Sequence, residues 1–202
     1  MERSVIAGSI PVSQVGIGGH YKAMEEGAFE ERFAYVEEEI APRVVLLRQA
    51  LAAGVTYFDT TWRNEVEMLG RVLETLGARD QVVVNGMVLG AFSGSKASGL
   101  SVEDYFSRWL DDRLARLPGG HFDTFMINAI EEDYDEAACA RLVRLLQTRQ
   151  AAGNFSAFGF STHQPHHARR VADRFPEFRT IMLPYNYRNR VFEDAFEGYT
   201  GD

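Results

Sequence analysis

The stretch Val55-Thr56-Tyr57-Phe58-Asp59-Thr60 decides the fold, because an apolar run ends there in an acidic residue. Tyr57 and Phe58 suit a buried strand, and Asp59 marks its carboxyl end. Residues 46–53 before it have the pattern of a helix that Gly54 ends, and residues 67–73 after it have the pattern of another helix. The order is thus a helix, a buried strand and then a carboxylate at the start of a loop. In parallel α/β proteins, functional sites are built at this end of the strands.

The same alternation of apolar strands and helical stretches runs along the rest of the chain. Further segments with the composition of short buried strands cover residues 12–19, 81–85, 122–128, 157–161 and 180–183. Helical patterns separate these segments. Strands that alternate with helices form parallel sheets with right-handed crossovers. The chain is therefore predicted to be an α/β protein with six parallel strands.

The connections between strands carry their own signals. Ser101 is predicted to open a helix with Asp104 at the capping-box position, and residues 90–100, rich in Gly and Ser, predict a mobile loop. Residues from about 20 to 42 form an acidic insert that is expected to be partly an amphipathic helix. The face of the helix after Ser101 is expected to be apolar, with Val102, Tyr105, Phe106, Trp109, Leu110, Leu114 and Leu117.

Length and composition indicate one soluble domain that spans residues 1–202. A formal net charge of −8 argues against nonspecific binding of nucleic acid or of an anionic membrane. No apolar run approaches the about 18 residues that cross a membrane, and the N-terminus lacks the pattern of a secretory signal. The single cysteine, Cys139, is expected to pack in the core. These features predict a cytoplasmic protein.

The sequence ALAAGVTYFDTT, followed by EVEMLGRVLETLGARDQVVV, resembles the aldo/keto reductases. Their pattern is a helix ending in Ala-x-x-x-Gly-Val, then Phe-Asp-Thr-Ala, a loop that holds a Tyr, and Glu-x-x-Leu-Gly. The resemblance continues to about Arg190. It implies a parallel (β/α)8 barrel of the TIM type, of which this chain contains about six of the eight β/α units, and a nicotinamide-dependent reductase ancestry.

The reductases carry four catalytic residues at strand ends: an Asp, a Tyr that donates a proton, a Lys and a His. The resemblance places the Asp at Asp59. Trp62 falls nearest to the Tyr, Met87 takes the place of the Lys, and Asn128 takes that of the His. An indole cannot donate a proton as a phenol can. Three of the four groups that perform carbonyl reduction are therefore expected to be replaced.

The cofactor residues are matched in part. In the family a Ser-Asn pair after the fifth strand holds the nicotinamide amide, and Ser161 and Thr162 stand there in this chain. Tyr185 and Asn186 match the family after the sixth strand, whereas Met182 replaces a Gln. The resemblance implies NADP(H) as the cofactor. Because the family's phosphate-binding loops follow the seventh and eighth strands, we do not expect residues 1–202 alone to bind it tightly.

Two histidines also follow predicted strands. His20 follows the first strand and His163 follows the fifth, so both are expected to join Asp59 and Asn128 at one mouth of the barrel, with Asn85 and Tyr185 on its rim. Such a cluster suits acid–base chemistry or a metal, but loop histidines without a special role give the same pattern, and we predict no metal set. His166 and His167 are expected to be solvated. The Ser-x-His pattern resembles a branch that often carries an iron–sulfur cluster in a C-terminal extension, which this sequence does not include.

Two functions remain open. The first is an oxidoreductase-family protein that binds a small carbonyl-type ligand but has altered chemistry. The second is a non-catalytic relative that acts as a binding or assembly partner of another protein. Since six strands do not close a barrel of eight, we expect a second copy, further residues or another protein to complete it. The apolar face of Phe192, Phe196 and Tyr199 is a further candidate to cover the gap.

Overall fold

A computed structural model describes residues 2–19, 37–128, 134–188 and 190–197. Its main sheet has six parallel strands in the order in which they occur in the chain. These strands are β3 (Gly16–Gly18), β4 (Tyr57–Thr60), β5 (Val83–Val88), β6 (Phe122–Ile127), β7 (Phe155–Ser161) and β8 (Thr180–Met182). The six predicted strands are thus confirmed.

Helices connect the strands of this sheet, and one short helix follows the last strand. They are α1 (Ile40–Ala52), α2 (Arg63–Leu76), α3 (Ala91–Ser98), α4 (Val102–Leu114), α5 (Glu136–Ala151), α6 (Pro165–Arg174) and α7 (Phe192–Phe196). Ser101 caps α4 as predicted, since its hydroxyl accepts the amide of Asp104 at 3.0 Å. Gly54 ends the segment of α1 with φ +84°, a left-handed conformation that glycine adopts without strain.

The core lies between the outer face of the sheet and these helices. Because side chains alternate along a strand, every second residue of β4–β8 points outward into this layer. Phe106 of α4 packs edge-on against Phe125 of β6, with ring centroids 5.6 Å apart. Cys139 of α5 is buried in the same core, as predicted.

Two expectations about connecting segments are wrong. The Gly/Ser-rich segment 90–100 contains helix α3, which packs on α4 where Gly94 lies against the ring of Tyr105. Residues 12–19 are not one strand, because a turn at Gln14 divides them. Their first part is β2 (Ile10–Ser13), which forms an antiparallel hairpin with β1 (Arg3–Ile6).

The acidic insert lies mostly outside the described residues. Its visible end is a 3₁₀ turn at Glu37–Glu39 that leads directly into α1. The described part of the chain contains no helix that is both long enough and apolar enough to cross a membrane.

Candidate functional site

The sheet is curved, so that its two edge strands face each other across a cleft. Residues of β3 and β8 line the same space of about 830 Å³, together with the β1–β2 hairpin at one end. Ser13 fixes this hairpin to β4, since its hydroxyl accepts the amide of Thr56 at 2.8 Å. The inner side chains that line the cleft include Tyr57, Asp59, Met126, Thr180 and Met182.

A first polar cluster crosses three neighbouring strands on this inner face. The amide of Asn85 on β5 donates to Asp59 Oδ1 on β4 at 2.6 Å. The hydroxyl of Thr124 on β6 donates to Asn85 Oδ1 at 2.7 Å. Asn85 is fully buried, so both ends of its side chain are used where water cannot replace a lost partner. The cluster holds the Asp59 carboxylate in one orientation.

Tyr57 lies two residues before Asp59 and borders the same cleft. Burial raises the pKa of its phenol well above the usual value, and the negative charge of Asp59 raises it further, although a hydrogen bond with the Thr124 side chain opposes the shift. The phenol therefore stays protonated at neutral pH. It can donate a hydrogen bond, but it is a weaker acid than an ordinary tyrosine.

A second polar cluster surrounds the sulfur of Met87 at the carboxyl ends of β5–β7. The amide nitrogen of Asn128 lies 3.1 Å from this sulfur and 3.2 Å from the hydroxyl of Ser161. The hydroxyls of Ser161 and Thr61 lie 3.9 Å and 4.0 Å from the sulfur. A thioether carries no charge and is a weak acceptor, so three neutral donors converge on a poor partner.

The structure thus joins four of the predicted site residues in two pairs, Asp59 with Asn85 and Asn128 with Ser161. His163 lies at the same end of the sheet, just after β7, but its side chain is exposed. His20 falls outside the described residues. Among the described residues, no hydrogen bond or ion pair joins the side chain of His163 to either cluster.

The predicted cofactor residues have local partners. Thr162 is 1% exposed, and its hydroxyl accepts the amide of Gln164 at 3.1 Å, which shapes the turn into α6. Tyr185 is 57% exposed, and its hydroxyl donates to Glu193 of α7. The side chain of Asn186 accepts the amide of Arg188 at 2.9 Å and closes a turn after β8.

The expectation that His167 is solvated is wrong. It is 1% exposed in the first turn of α6, where Arg170 Nη2 lies 2.9 Å from its Nδ1 and the ring of Tyr134 packs edge-on at 5.1 Å. Helix α6 begins at Pro165, and His167 lies in its first turn on the side that faces the core. In the described chain, no three His, Cys, Asp or Glu side chains are grouped in a way that could hold a metal ion.

The inferences from sequence missed Tyr57 and Thr124 as members of the site. Both lie on inward positions of their strands, two residues before Asp59 and Met126 respectively. The alternation of the strands was the signal that could have identified them. In β6 this alternation is weak, because five of its six residues are buried.

Comparison with known proteins identifies this arrangement as the fold of the aldo/keto reductases. An aldo-keto reductase from Bacillus halodurans in its holo form matches 98% of this chain with a TM-score of 0.73 and 16% identity. A putative aldo-keto reductase from Pseudomonas aeruginosa matches 97% with a TM-score of 0.73 and 21% identity. An aldo/keto reductase from Klebsiella pneumoniae in complex with NADP and acetate matches 96% with a TM-score of 0.72 and 17% identity.

This chain covers only part of the length of each of these proteins. This chain spans 63%, 73% and 62% of the three solved chains, in the same order. No protein-family profile and no curated protein matches the sequence. The likeness therefore shows the fold, the half-open TIM-type barrel that the sequence predicts, and leaves the chemistry to be argued from the residues of the site.

Proposed function

We propose that this chain is a divergent relative of the aldo/keto reductases that binds a small carbonyl-type ligand at the mouth of its barrel without the family's usual NADPH-dependent reduction. The observation that carries the proposal is Met87. Its neutral sulfur stands among Asn128, Ser161 and Thr61, where the resemblance places a lysine. We place the protein in the cytoplasm, in line with its single buried cysteine.

Carbonyl reduction needs a proton donor whose pKa is close to the working pH. The described mouth offers poor candidates for that task. The pKa of Tyr57 is raised, Asn128 is an amide, and Trp62 carries an indole. Met87 supplies no positive charge that could stabilise a phenolate. These residues favour binding over proton transfer.

The same residues suit a neutral oxygen acceptor. The amide of Asn128 and the hydroxyl of Ser161 are buried or half-buried donors that now meet a thioether. A carbonyl oxygen accepts hydrogen bonds more strongly than a thioether does. A ligand that brings its carbonyl oxygen to these two groups would therefore improve both hydrogen bonds.

The residues present do not fit a nicotinamide ring in the manner that the resemblance implies. The Thr162 hydroxyl is already engaged with Gln164 and is shielded from the mouth. Met182 offers no amide to the ring. The exposed ring of Tyr185 could stack against a flat ligand, but a ring face alone does not select a cofactor. We therefore propose that NADP(H) binds only weakly to this chain.

The side-chain amide signals of Asn128 and Asn85 in nitrogen-15 NMR spectra test the proposal. During titration with small aldehydes, ketones and amides, we expect the Asn128 signal to shift in a saturable way. The signal of Asn154, whose side chain lies near Arg149 at the other end of the sheet, is the internal control. The substitution Asn128→Ala should abolish binding. If no compound moves Asn128 more than Asn154, the mouth is not a ligand site.

A second candidate function is that of a pseudo-reductase which binds another protein. Two features favour it: within the described residues β8 pairs with one strand only, and Tyr185 and Tyr187, which follow it, are exposed. The expected cover from the end of the chain is not confirmed, because Phe192 and Phe196 of α7, which packs against α6, do not border the cleft, and Tyr199 lies outside the described residues.

A further inference from the structure

The sulfur of Met87 has unusual surroundings for a buried thioether. Met87 lies on β5, in the interior of the sheet, and its side chain is 4% exposed. The amide of Asn128 and the hydroxyls of Ser161 and Thr61 all donate towards its sulfur. Among the described residues, no other methionine sulfur has such a donor. Buried methionines normally fill apolar gaps, so three donors around one thioether point to chemistry at the sulfur itself.

The two hydroxyls approach the sulfur from opposite sides of β5. Thr61 follows β4, and Ser161 ends β7 on the other side. Their oxygens lie 4.0 Å and 3.9 Å from the sulfur, farther than the about 2.5–3.0 Å of a hydrogen bond between a hydroxyl and an oxygen acceptor. Asn128 is half-buried, so the cluster borders solvent on that side. A small oxygen-containing molecule that reaches the sulfur would meet both hydroxyls.

A thioether reacts with hydrogen peroxide to form a sulfoxide. The lone pair of the sulfur attacks one peroxide oxygen, so that an S–O bond forms while the O–O bond breaks. The departing oxygen takes the proton of the attacked oxygen and leaves as water. The sulfur loses a pair of electrons and the peroxide gains it. Negative charge develops on the departing oxygen, and hydrogen-bond donors placed beside it stabilise the transition state.

From this geometry we propose that Met87 is a site of oxidation by hydrogen peroxide. The hydroxyls of Ser161 and Thr61 promote the reaction, and the amide of Asn128 then binds the sulfoxide oxygen. Oxidation replaces a weak acceptor with a polar oxygen in the middle of the three donors. The oxidised side chain also occupies the donors of the carbonyl site. That consequence rests on the proposed function, whereas the oxidation does not.

Met126 is a matched internal control within the same protein. It lies beside Met87 in the register of β5 and β6, and its side chain is also 4% exposed. Met126 borders the cleft of about 830 Å³, but no hydrogen bond reaches its sulfur among the described residues. If access alone determined the rate of oxidation, Met126 would react at least as fast as Met87. If the donors determine it, Met87 reacts faster.

The test treats the chain with dilute hydrogen peroxide and follows each methionine by mass spectrometry. Trypsin separates the two side chains, since Met87 falls in the peptide of residues 80–96 and Met126 in that of residues 117–141. We expect Met87 to be oxidised at least about fivefold faster than Met126, as one additional net hydrogen bond in the transition state implies. Equal rates, or faster oxidation of Met126, would overturn the proposal.

Protein variants separate the effect of the donors from that of access. Thr61→Val removes a hydroxyl and keeps the shape of the side chain, whereas Ser161→Ala removes a hydroxyl and opens space. Both should lower the rate at Met87 relative to that at Met126, which reports any general loosening of the fold. Thr75→Val, at an exposed threonine of α2, should leave the ratio unchanged. If Ser161→Ala raises the ratio, access and not the donors determines oxidation, and the proposal is wrong.

The sulfoxide has a readout of its own. In the oxidised protein the side-chain amide signal of Asn128 should move, and that of Asn154 should not. The variant Met87→Leu, treated in the same way, should show no shift of Asn128. An unmoved Asn128 signal in protein oxidised at Met87 would contradict the binding of the sulfoxide oxygen. No carbonyl compound is present in these experiments, so this proposal and the proposed function fail separately.

Discussion

At the scale of single residues, Asn85 holds the first polar cluster together. It is fully buried and joins Asp59 to Thr124 through one side chain. We expect Asn85→Ala to lower the free energy of unfolding by about 1–3 kcal/mol, because it removes two hydrogen bonds, to Asp59 and to Thr124, from the protein interior. Urea denaturation measures the change.

The matched control for Asn85 is Asn154→Ala, which removes a similar amide from a half-buried position near Arg149. It should cost less than about 1 kcal/mol, as substitutions away from buried networks usually do. If both variants lose the same free energy of unfolding, the hydrogen bonds of Asn85 contribute no more to stability than those of Asn154.

Cys139 provides a prediction about pH. Burial raises the pKa of its thiol from 9.0 to about 12, and Glu136 adds to the shift. Because the folded-state pKa lies above the unfolded one, this contribution to stability is complete below pH 9 and is lost as the pH rises towards 12. At about pH 10.5 the loss should be about 2 kcal/mol relative to pH 8.

The variant Cys139→Ala isolates this effect from other groups that titrate in the alkaline range. The stability advantage of the natural chain over the variant should shrink between pH 8 and about pH 10.5. Urea unfolding at both pH values gives the difference. An advantage that stays constant would show that the thiol is as easily ionised in the folded protein as in the unfolded one.

The sequence identifies some residues of the site for a physical reason. Asp59, Asn128 and Ser161 follow apolar runs, and parallel strands bring their carboxyl ends to one edge. The contacts around Met87 could not be predicted, because they depend on the register of three strands and on side-chain rotamers. The burial of His167 was missed for a similar reason, since its partners Tyr134 and Arg170 come from two elements.

At the scale of elements, β7 and β8 approach each other closely because Gly159 has no side chain. A Cβ on Gly159 would lie 1.9 Å from the carbonyl oxygen of Thr180. Gly159→Ala should therefore push β8 away and destabilise the protein by about 1–3 kcal/mol, the usual cost of overpacking. We expect the amides of β8 to exchange hydrogen faster in this variant.

Gly18→Ala is the control for this prediction. Gly18 also lies in a strand of the sheet, but a Cβ there would have no neighbour within 4 Å. Its variant should retain the stability and the exchange rates of the natural chain. If Gly159→Ala behaves in the same way, the close approach of the two strands is not required for the fold.

The strands and most helices follow from periodicity, and the exceptions have identifiable causes. Segment 90–100 has the composition of a loop, yet Phe92 packs edge-on against Tyr134 and tertiary contacts support helix α3. Residues 12–19 were predicted as one strand because only a short turn at Gln14 separates the β1–β2 hairpin from β3. In both places the packing against other elements outweighs the local sequence preference.

At the scale of the whole molecule, the sheet has two edges and a cleft of about 830 Å³ between them. Unpaired buried backbone groups cost about 1–3 kcal/mol each, and a domain has a net stability of roughly 5–15 kcal/mol. Residues 1–202 alone are therefore not expected to unfold as a compact, cooperative monomer. Sedimentation combined with calorimetry checks this, and one sharp transition from a monodisperse monomer would contradict it.

The central claim is that this chain has the fold of a reductase but does not carry, at the mouth of its barrel, the residues that reduce a carbonyl group. The most direct measurement is NADPH consumption at 340 nm by the purified chain, with a panel of aldehydes and ketones, beside the variant Asp59→Asn. The account predicts no turnover above that of the variant for any compound. Saturable turnover that Asp59→Asn abolishes would contradict it.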